Sequence, residues 1–288
     1  MTAPADPSDV PAPTAPTAPP RPGRSVVVTG SSSGIGRSIA LRLAADGWAV
    51  VVVGRDAGRV DAVVAEVRAA GGTAAGCVGD VADRDLHARL LAAALDLAPL
   101  AGWVNCAGTT VRNGLTELSE QVTLDMVRGN QLGSLWGCET AVAHWVGAGA
   151  GGAVVNMSSV HGRAAYPEHT VYEMTKAAVE ALTRSVAVTY AARGIRANAV
   201  APGAVRSPAL EASFDRAPDP AAAREFLARR SPALRIAEPE EVAAVVAFLL
   251  SDDASYVSGQ TVAIDGGWTA ALGADPEEPG ARRVGVGA

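Results

Sequence analysis

A tyrosine and a lysine four residues apart are the pair in this chain best suited to chemistry. Tyr172 and Lys176 lie in the helix-favouring stretch Val-Tyr-Glu-Met-Thr-Lys-Ala-Ala, so both side chains should project from one helical face. A tyrosine hydroxyl has a pKa near ~10, and a neighbouring ammonium stabilises the phenolate and lowers that pKa. The spacing therefore predicts an acid–base tyrosine assisted by Lys176, although an ordinary solvent-exposed pair has the same spacing.

Lysine usage supports the chemical interpretation. Of the 24 basic residues, 23 are arginine and one, Lys176, is lysine. Because this chain uses arginine wherever a general cation suffices, its lone lysine indicates a position that needs a compact ammonium rather than a planar guanidinium.

A glycine-rich turn provides the first element that could position a ligand beside this pair. The β-branched run 25–28 leads into Thr-Gly-Ser-Ser-Ser-Gly-Ile-Gly at 29–36, and an amphipathic stretch follows at 37–46. In that context Gly30 permits the tight turn, Gly34 lets the backbone approach a pyrophosphate, and Gly36 allows close helix–strand packing. The helix start adds unpaired N–H groups for phosphate, so the pattern predicts dinucleotide binding.

The remaining strand-like runs indicate one α/β domain. Continuous apolar segments alternate with helical patterns, including one at 60–70, which calls for a parallel sheet covered on both faces. The predicted strands are 25–28, 49–53, 73–78, 101–105, 153–157, 195–200 and 261–264. We expect a domain at 25–274, a disordered Pro/Ala-rich tail at 1–24 and a flexible C-terminal tail at 275–288.

Composition narrows the class of protein. The 288 residues are 49% hydrophobic with a net charge of −6, and no Lys/Arg run exceeds two residues, so we expect no nucleic-acid partner. The three cysteines are far apart with no C-x-x-C pair, which argues against a metal site or a disulfide framework. No apolar run reaches the ~18–20 residues of a membrane span, and a cytoplasmic location fits best.

Taken in order, the motifs resemble those of the short-chain dehydrogenase/reductase family, in its single-domain, ketoacyl-reductase-like branch. The matching motifs are 29–36, Asp80-Val81, Asn105-Cys106-Ala107-Gly108, Asn130, Ser159, Tyr172 with Lys176, Pro202-Gly203 and Asp265-Gly266-Gly267. The resemblance implies a Rossmann-type doubly wound sheet of seven parallel strands, in the order 3-2-1-4-5-6-7. Cys106 and Ser207 stand where the family commonly has asparagine and threonine.

The resemblance also implies a catalytic tetrad. It assigns Ser159 to hold the substrate oxygen, Tyr172 to exchange a proton with it, and Lys176 to bind the nicotinamide ribose and favour ionisation of the tyrosine. Asn130 would bend a helix and hold a relay water. Ser158 adjoins Ser159, but the family's separation of twelve residues between serine and tyrosine selects Ser159.

Cofactor contacts follow from the same resemblance. They fall on Gly30, Ser32, Ser33, Gly34, Ile35, Gly36, Arg55, Asp80, Val81, Asn105, Ala107, Gly108, Tyr172, Lys176, Pro202, Gly203, Val205 and Ser207. An acid at the end of the second strand would select NAD, but Gly54 and Arg55 stand there and suit a 2′-phosphate. Asp56 follows one residue later, so NADP(H) is favoured and NAD(H) stays possible.

Substrate contacts are expected from three segments: the turn after Gly108, the loop between Ser159 and Tyr172, and a proline-broken lid at 207–231. The candidates are Thr109, His161, Arg163, His169, Leu210 and Phe214. The two histidines also fit simple solvated loop positions. Arginines 112, 163 and 206 together could suit an anionic substrate, or could be scattered surface charges.

These features predict an oxidoreductase that transfers hydride between NADP(H) and a carbonyl or secondary alcohol, most simply a ketoreductase. One alternative is an NAD-dependent sugar, polyol or secondary alcohol dehydrogenase, and another is a non-catalytic dinucleotide-binding regulatory protein. The expected partner is a small molecule, with no membrane. The resemblance implies a homotetramer, or a homodimer, formed through the tyrosine-bearing helix and the apolar segment 132–146.

Overall fold

Seven parallel strands form a sheet in the order β3-β2-β1-β4-β5-β6-β7 in this computed structural model, which describes residues 23–271. The strands are β1 Ser25–Val28, β2 Ala49–Gly54, β3 Thr73–Val78, β4 Leu100–Asn105, β5 Gly152–Met157, β6 Ile195–Pro202 and β7 Thr261–Ile264. The helices are α1 Gly34–Ala45, α2 Ala57–Ala69, α3 Arg84–Leu97, α4 Glu120–Met126, α5 Gly133–Ala148, α6 Thr170–Tyr190, α7 Pro208–Asp215, α8 Pro220–Ala228 and α9 Pro239–Leu250. The predicted α/β class and strand order are confirmed. The two predicted tails lie outside the described residues, apart from Gly23 and Arg24.

Two apolar layers, one on each face of the sheet, bury strands β1 and β2 at every position. On β1, Val26 and Val28 pack against α1, α2 and α9, whereas Val27 packs against α3, α5 and α6. Successive strand residues point to opposite faces, so a strand covered on both sides needs apolar residues at every position. This is why β1 and β2 consist largely of consecutive valines.

Most predicted strand boundaries agree with the structure, and the largest differences are at the starts of α1 and α2. Strands β3 and β7 have the predicted residues, whereas α2 begins at Ala57 rather than at residue 60. Asp56 is the cause, because its side chain accepts a hydrogen bond from the Arg59 N–H at 2.9 Å and so caps the helix.

The loops after β1 and β4 meet where the strand order reverses, the usual ligand crevice of such a sheet. The Thr29 hydroxyl ties them together by accepting hydrogen bonds from the N–H groups of Cys106 (3.0 Å) and Ala107 (3.1 Å). Gly30 lies against the same loop with a φ of +69°, and a Cβ there would come within 2.8 Å of the Ala107 Cα. Only glycine fits this approach.

Candidate active site

The glycine loop forms an open cradle at the start of α1. A Cβ on Gly36 would lie 2.7 Å from the carbonyl carbon of Gly30, so the helix can pack this closely only with glycine. Ser33 occupies the N-cap, but its side chain makes no capping hydrogen bond, which leaves first-turn N–H groups to a ligand. A cavity of about 430 Å³ lies beside this turn, lined partly by Ser32, Ser33, Gly34, Arg206 and Ser207. The loop and its cavity therefore fit the phosphates of a dinucleotide.

Tyr172 and Lys176 lie on α6 as the sequence predicts, one turn apart. The Lys176 ammonium is buried, lies 5.5 Å from the centre of the Tyr172 ring and donates a hydrogen bond of 2.7 Å to the Met157 carbonyl. The turn after β4 comes close to it, because a Cβ on Gly108 would lie 3.5 Å from the Lys176 Nζ. The strand ends and α6 thus converge on one amine.

Burial is the main influence on the pKa values of Tyr172 and Lys176. Burial raises the pKa of Tyr172, and its hydrogen bond with the Ser159 side chain opposes that rise. Burial also lowers the pKa of Lys176 to about 8, against a smaller opposing effect of Cys106. In this arrangement the Lys176 amine bonds the Met157 carbonyl, and the hydrogen bond with Ser159 offsets only part of the rise in the tyrosine pKa. The predicted lowering of the tyrosine pKa by Lys176 stays a prediction.

The two adjacent serines have different surroundings. Ser159 contacts Tyr172 and accepts a hydrogen bond of 3.2 Å from the His161 N–H. Ser158 is buried and donates to the Glu180 carboxylate at 3.1 Å. The geometry therefore brings Ser159, and not Ser158, to the tyrosine, in agreement with the choice made from spacing.

Asn130 lies in a π-helical turn, Val127–Leu132, between α4 and α5. Its buried amide donates to the Thr109 carbonyl (2.8 Å) and the Thr175 hydroxyl (3.2 Å), and accepts from the Thr109 N–H (2.8 Å). The predicted helix distortion is present, and these bonds connect the turn after Gly108 to α6. The water-holding role stays a prediction.

The three arginines considered for an anionic substrate are each held by a carboxylate. Arg163 bonds the buried Glu180 at 2.8 Å, Arg112 bonds Glu168 at 2.7 Å and Arg206 bonds Glu238 at 2.9 Å. This bond of Arg163 fixes the loop after β5 to α6, and the predicted substrate contact of Arg163 stays a prediction. Sequence reasoning missed Glu180, although it lies one helical turn beyond Lys176, the same interval that separates Lys176 from Tyr172.

An aromatic cluster surrounds the Tyr172 ring. The His161 ring lies 5.7 Å from it edge-on, the His169 ring lies 6.5 Å away, and the two imidazoles stack at 5.2 Å. Tyr166 contacts both histidines. Burial and the neighbouring His169 lower the pKa of His161, so its ring is neutral at pH 7. His161 and His169 are therefore placed beside the candidate catalytic tyrosine.

The end of β2 has no room for an acidic side chain at residue 54. A Cβ on Gly54 would lie 2.6 Å from the Ser32 Cβ, so the adjacent turn already fills that space. Asp56 is engaged in capping α2 and lies 3.6 Å from Arg59. Arg55 is exposed, and among residues 23–271 no carboxylate pairs with it.

Not every predicted cofactor residue presents its side chain to the crevice. Asn105 is buried, with its amide donating to Asn156 (2.8 Å) and accepting from Trp103 (2.9 Å), so its side chain serves the sheet interior. Asp80 accepts from the Ala82 N–H at 3.0 Å and shapes the turn after β3. Its neighbour Val81 is buried and packs on α5. The cofactor contact expected at Asn105 would therefore fall to its backbone, and it stays a prediction.

The remaining predicted cofactor residues lie at the end of β6 and beside α1. The Gly203 N–H donates to the Ile264 carbonyl at 3.0 Å, and Val205 is buried in a bridge with Ala237. Pro202 is buried as the last residue of β6, and Ile35 packs on the apolar layer around α1. These contacts fix the backbone that leads to the lid.

The predicted lid segment, 207–231, contains α7 and α8. Ser207 caps α7 by accepting from the Leu210 N–H at 3.2 Å. Phe214 is buried with the Arg224 guanidinium 5.1 Å above it, so this ring stabilises the lid rather than lining an open pocket. Arg230 connects the lid to the loop before α6, lying 4.3 Å from the Phe226 ring and 5.7 Å from Tyr166.

The described residues hold neither a membrane-spanning helix nor a metal-binding cluster. Between residues 23 and 271, no helix has the length and apolarity to cross a membrane. In the same range, no three His, Cys, Asp or Glu side chains group closely enough to hold a metal ion.

Known proteins are similar to this chain in both sequence and fold. A family model described as enoyl-(acyl carrier protein) reductase matches residues 30–269. A 3beta-hydroxysteroid dehydrogenase 1 of Eggerthella lenta is 38% identical over 86% of this chain and 94% of its own length. A cis-4-hydroxycyclohexanecarboxylate dehydrogenase of Sinomonas cyclohexanicum is 42% identical, covering 86% and 97% respectively. The crystal structure of a levodione reductase superposes with a TM-score of 0.82 at 35% identity, over 86% of this chain and 98% of that one.

Proposed function

The chain belongs to the short-chain dehydrogenase/reductase family, an oxidoreductase family that binds NAD(P)(H) and acts on alcohol or carbonyl groups, and on that premise we propose an NADP(H)-dependent ketoreductase with Tyr172 as its acid–base. The observation that carries this proposal is the convergence of Ser159, Tyr172 and Lys176 at the strand ends. In the reductive direction the Tyr172 hydroxyl gives its proton to the carbonyl oxygen. Ser159 donates a hydrogen bond to that oxygen and keeps it in place.

The chain's own residues fit a nicotinamide dinucleotide. When bound, this cofactor supplies the hydride that reduces the carbonyl carbon. The first turn of α1 would hold the phosphates of this cofactor, and Lys176 would bond its ribose hydroxyls. The raised pKa of Tyr172 keeps the phenol protonated at pH 7, which suits a proton donor in carbonyl reduction.

The preference for NADP(H) rests on the end of β2. Arg55 offers an exposed guanidinium, which binds phosphate bidentately, at the position where a 2′-phosphate is expected. The space that a ribose-binding acid would need at Gly54 is filled by Ser32. Asp56 is occupied by α2.

Three of the relatives are named for alicyclic compounds. A hydroxysteroid, a hydroxycyclohexane and levodione appear in those names, so we expect this chain to reduce a cyclic ketone or to oxidise the matching secondary alcohol. Such a substrate needs apolar surface beside the acid–base group, and the aromatic rings around Tyr172 provide it.

We expect a dimer or tetramer that buries α5 and α6. Leu135 on α5 is partly exposed, and Met174 and Val188 on α6 expose 63% and 83% of their surface. Val142 and Trp145, which lie in the segment 132–146 expected at this surface, belong to the core. Light scattering that shows a monomer at micromolar concentration contradicts this expectation.

The direct test measures oxidation of NADPH and NADH with a panel of cyclic and open-chain ketones, for the wild type and Tyr172→Phe. We expect turnover to fall by at least about a thousandfold in Tyr172→Phe, with NADPH affinity within about twofold, because proton transfer and binding are separate tasks. Tyr256→Phe, at a fully exposed tyrosine, is the matched control and should keep full activity. Retained turnover in Tyr172→Phe refutes the assignment.

A further inference from the structure

Unsatisfied polar atoms mark two segments beside the candidate active site. Buried side-chain nitrogen and oxygen atoms nearly always have hydrogen-bond partners, and each exception needs a reason. Among residues 23–271, four such atoms lack one: Nδ1 of His87, Nδ1 of His161, and both Nδ2 and Oδ1 of Asn113. Three of the four lie in the turn after Gly108 and the loop before α6, which are the segments expected to contact substrate.

Asn113 is placed on the side of the cluster around Tyr172. Its N–H donates to the Glu168 carbonyl at 2.6 Å, and the residue pairs in parallel register with His169. This bridge brings Asn113 beside His169. The His169 ring stacks on His161 and contacts Tyr172. Only 6% of Asn113 is exposed.

The His161 ring has no hydrogen bond on the side facing α6. Its Nδ1 lies 3.7 Å from Glu173, which is longer than a hydrogen bond. The same Glu173 oxygen already accepts the Tyr166 N–H at 2.6 Å. The Nδ1 of His161 is therefore a second buried polar atom beside Tyr172 without a hydrogen-bond partner.

We propose that Asn113 and His161 form the recognition end of the substrate pocket, and that the substrate has a neutral hydroxyl group in addition to its reacting carbonyl. The inference rests on the ketoreductase function proposed above. An amide has a donor and an acceptor, and a hydroxyl satisfies both. A carboxylate would bond Nδ2 but would place negative charge against Oδ1.

Charge on the same segments agrees with a neutral ligand. Arg112 and Arg163, the arginines of the two segments, are neutralised by Glu168 and Glu180. Glu173 adds a negative charge beside His161. An anionic substituent would thus meet carboxylates and a neutral ring, whereas a hydroxyl meets groups that it can bond.

The kinetic test compares matched ketones in wild type and Asn113→Leu, which keeps the branched skeleton of asparagine without its polar atoms. We expect the wild type to show a kcat/KM about tenfold higher for 4-hydroxycyclohexanone than for cyclohexanone. Asn113→Leu should lose this preference and keep its kcat with cyclohexanone. Arg112→Leu, at the exposed neighbouring residue, is the control and should retain the preference.

Thermal unfolding separates recognition from a structural role. Removing an unsatisfied buried amide relieves a desolvation penalty, so the Tm of Asn113→Leu without ligand should equal or exceed that of the wild type. Asn113→Ala, measured alongside, guards against a leucine that is too bulky. Destabilisation of both variants, or an equal loss of kcat/KM for both ketones, shows a structural amide and overturns the inference.

Two further outcomes distinguish a failure of the hydroxyl recognition from a failure of the ketoreductase function. Equal turnover of the two ketones by the wild type, or a preference for 4-oxocyclohexanecarboxylate, overturns the hydroxyl recognition and leaves the ketoreductase intact. No oxidation of NADPH or NADH with any ketone refutes the ketoreductase, and the substrate inference with it.

Discussion

The buried amine of Lys176 should leave a measurable signature in the pH dependence of stability. Burial lowers its pKa from 10.5 to about 8 in the folded chain. At 1.36 kcal/mol per pKa unit this difference is about 3 kcal/mol. Between pH 8 and 10.5 the unfolded chain binds more protons than the folded chain, so stability rises with pH across that window. Below pH 8 the folded state bears the full penalty of a buried ammonium, and above pH 10.5 the penalty is gone.

Replacing the amine isolates this effect. Urea unfolding of wild type and Lys176→Met should show a difference in the free energy of unfolding that shifts by about 3 kcal/mol, in favour of the wild type, between pH 7.5 and 10.5. Lys176→Arg should behave in the same way, because a guanidinium does not titrate in this range. Met174→Leu, at an exposed position of α6, is the control and should follow the wild type. A difference that stays constant with pH refutes the reasoning.

Three other predictions concern cofactor choice and the loop after β5. Arg55→Gln should lower kcat/KM for NADPH by about 10- to 100-fold and leave kcat/KM for NADH unchanged, because one charge-assisted contact contributes about 1.5–3 kcal/mol. Arg59→Gln is the control and should change neither value. Equal losses with both cofactors count against the phosphate contact. Gly54→Asp alone should lower kcat/KM for both cofactors, because its Cβ would lie 2.6 Å from the Ser32 Cβ. Adding Ser32→Gly should restore activity with NADH. If Gly54→Asp alone already favours NADH, the steric argument fails. Arg163→Gln should lower the free energy of unfolding, measured in urea, by about 1–3 kcal/mol, because it leaves the buried Glu180 carboxylate without its guanidinium partner. Arg112→Gln removes an exposed ion pair and should lower the free energy of unfolding by less than about 1 kcal/mol. Equal losses in the two variants contradict this distinction.

The sheet was predictable because its signal is local. A strand buried on both faces, such as β2, reads as an apolar run, and the strand ends place the glycine turn and the residues after β4 at one edge. Helix starts were less predictable, since α2 depends on a single capping side chain, Asp56. The spacing of Tyr172 and Lys176 likewise follows from helix periodicity.

Properties that depend on contacts between residues far apart in the sequence could not be predicted from sequence spacing. Arg163 and Glu180 are 17 residues apart and meet only because the loop after β5 folds back on α6. The pKa of Tyr172 depends on its burial and on Ser159, neither of which the sequence states. The inward turn of Asn105 needs partners on β5 and α5 that no linear motif identifies.

The solitary buried lysine also turns the chain into its own unfolding reporter. A protease that cleaves only after lysine has a single target bond, and in the native protein that bond lies inside α6. Brief digestion should therefore leave folded molecules whole and split opened molecules once, at Lys176. The ratio of whole chains to fragments on a gel then reports how often the helix that bears Tyr172 opens.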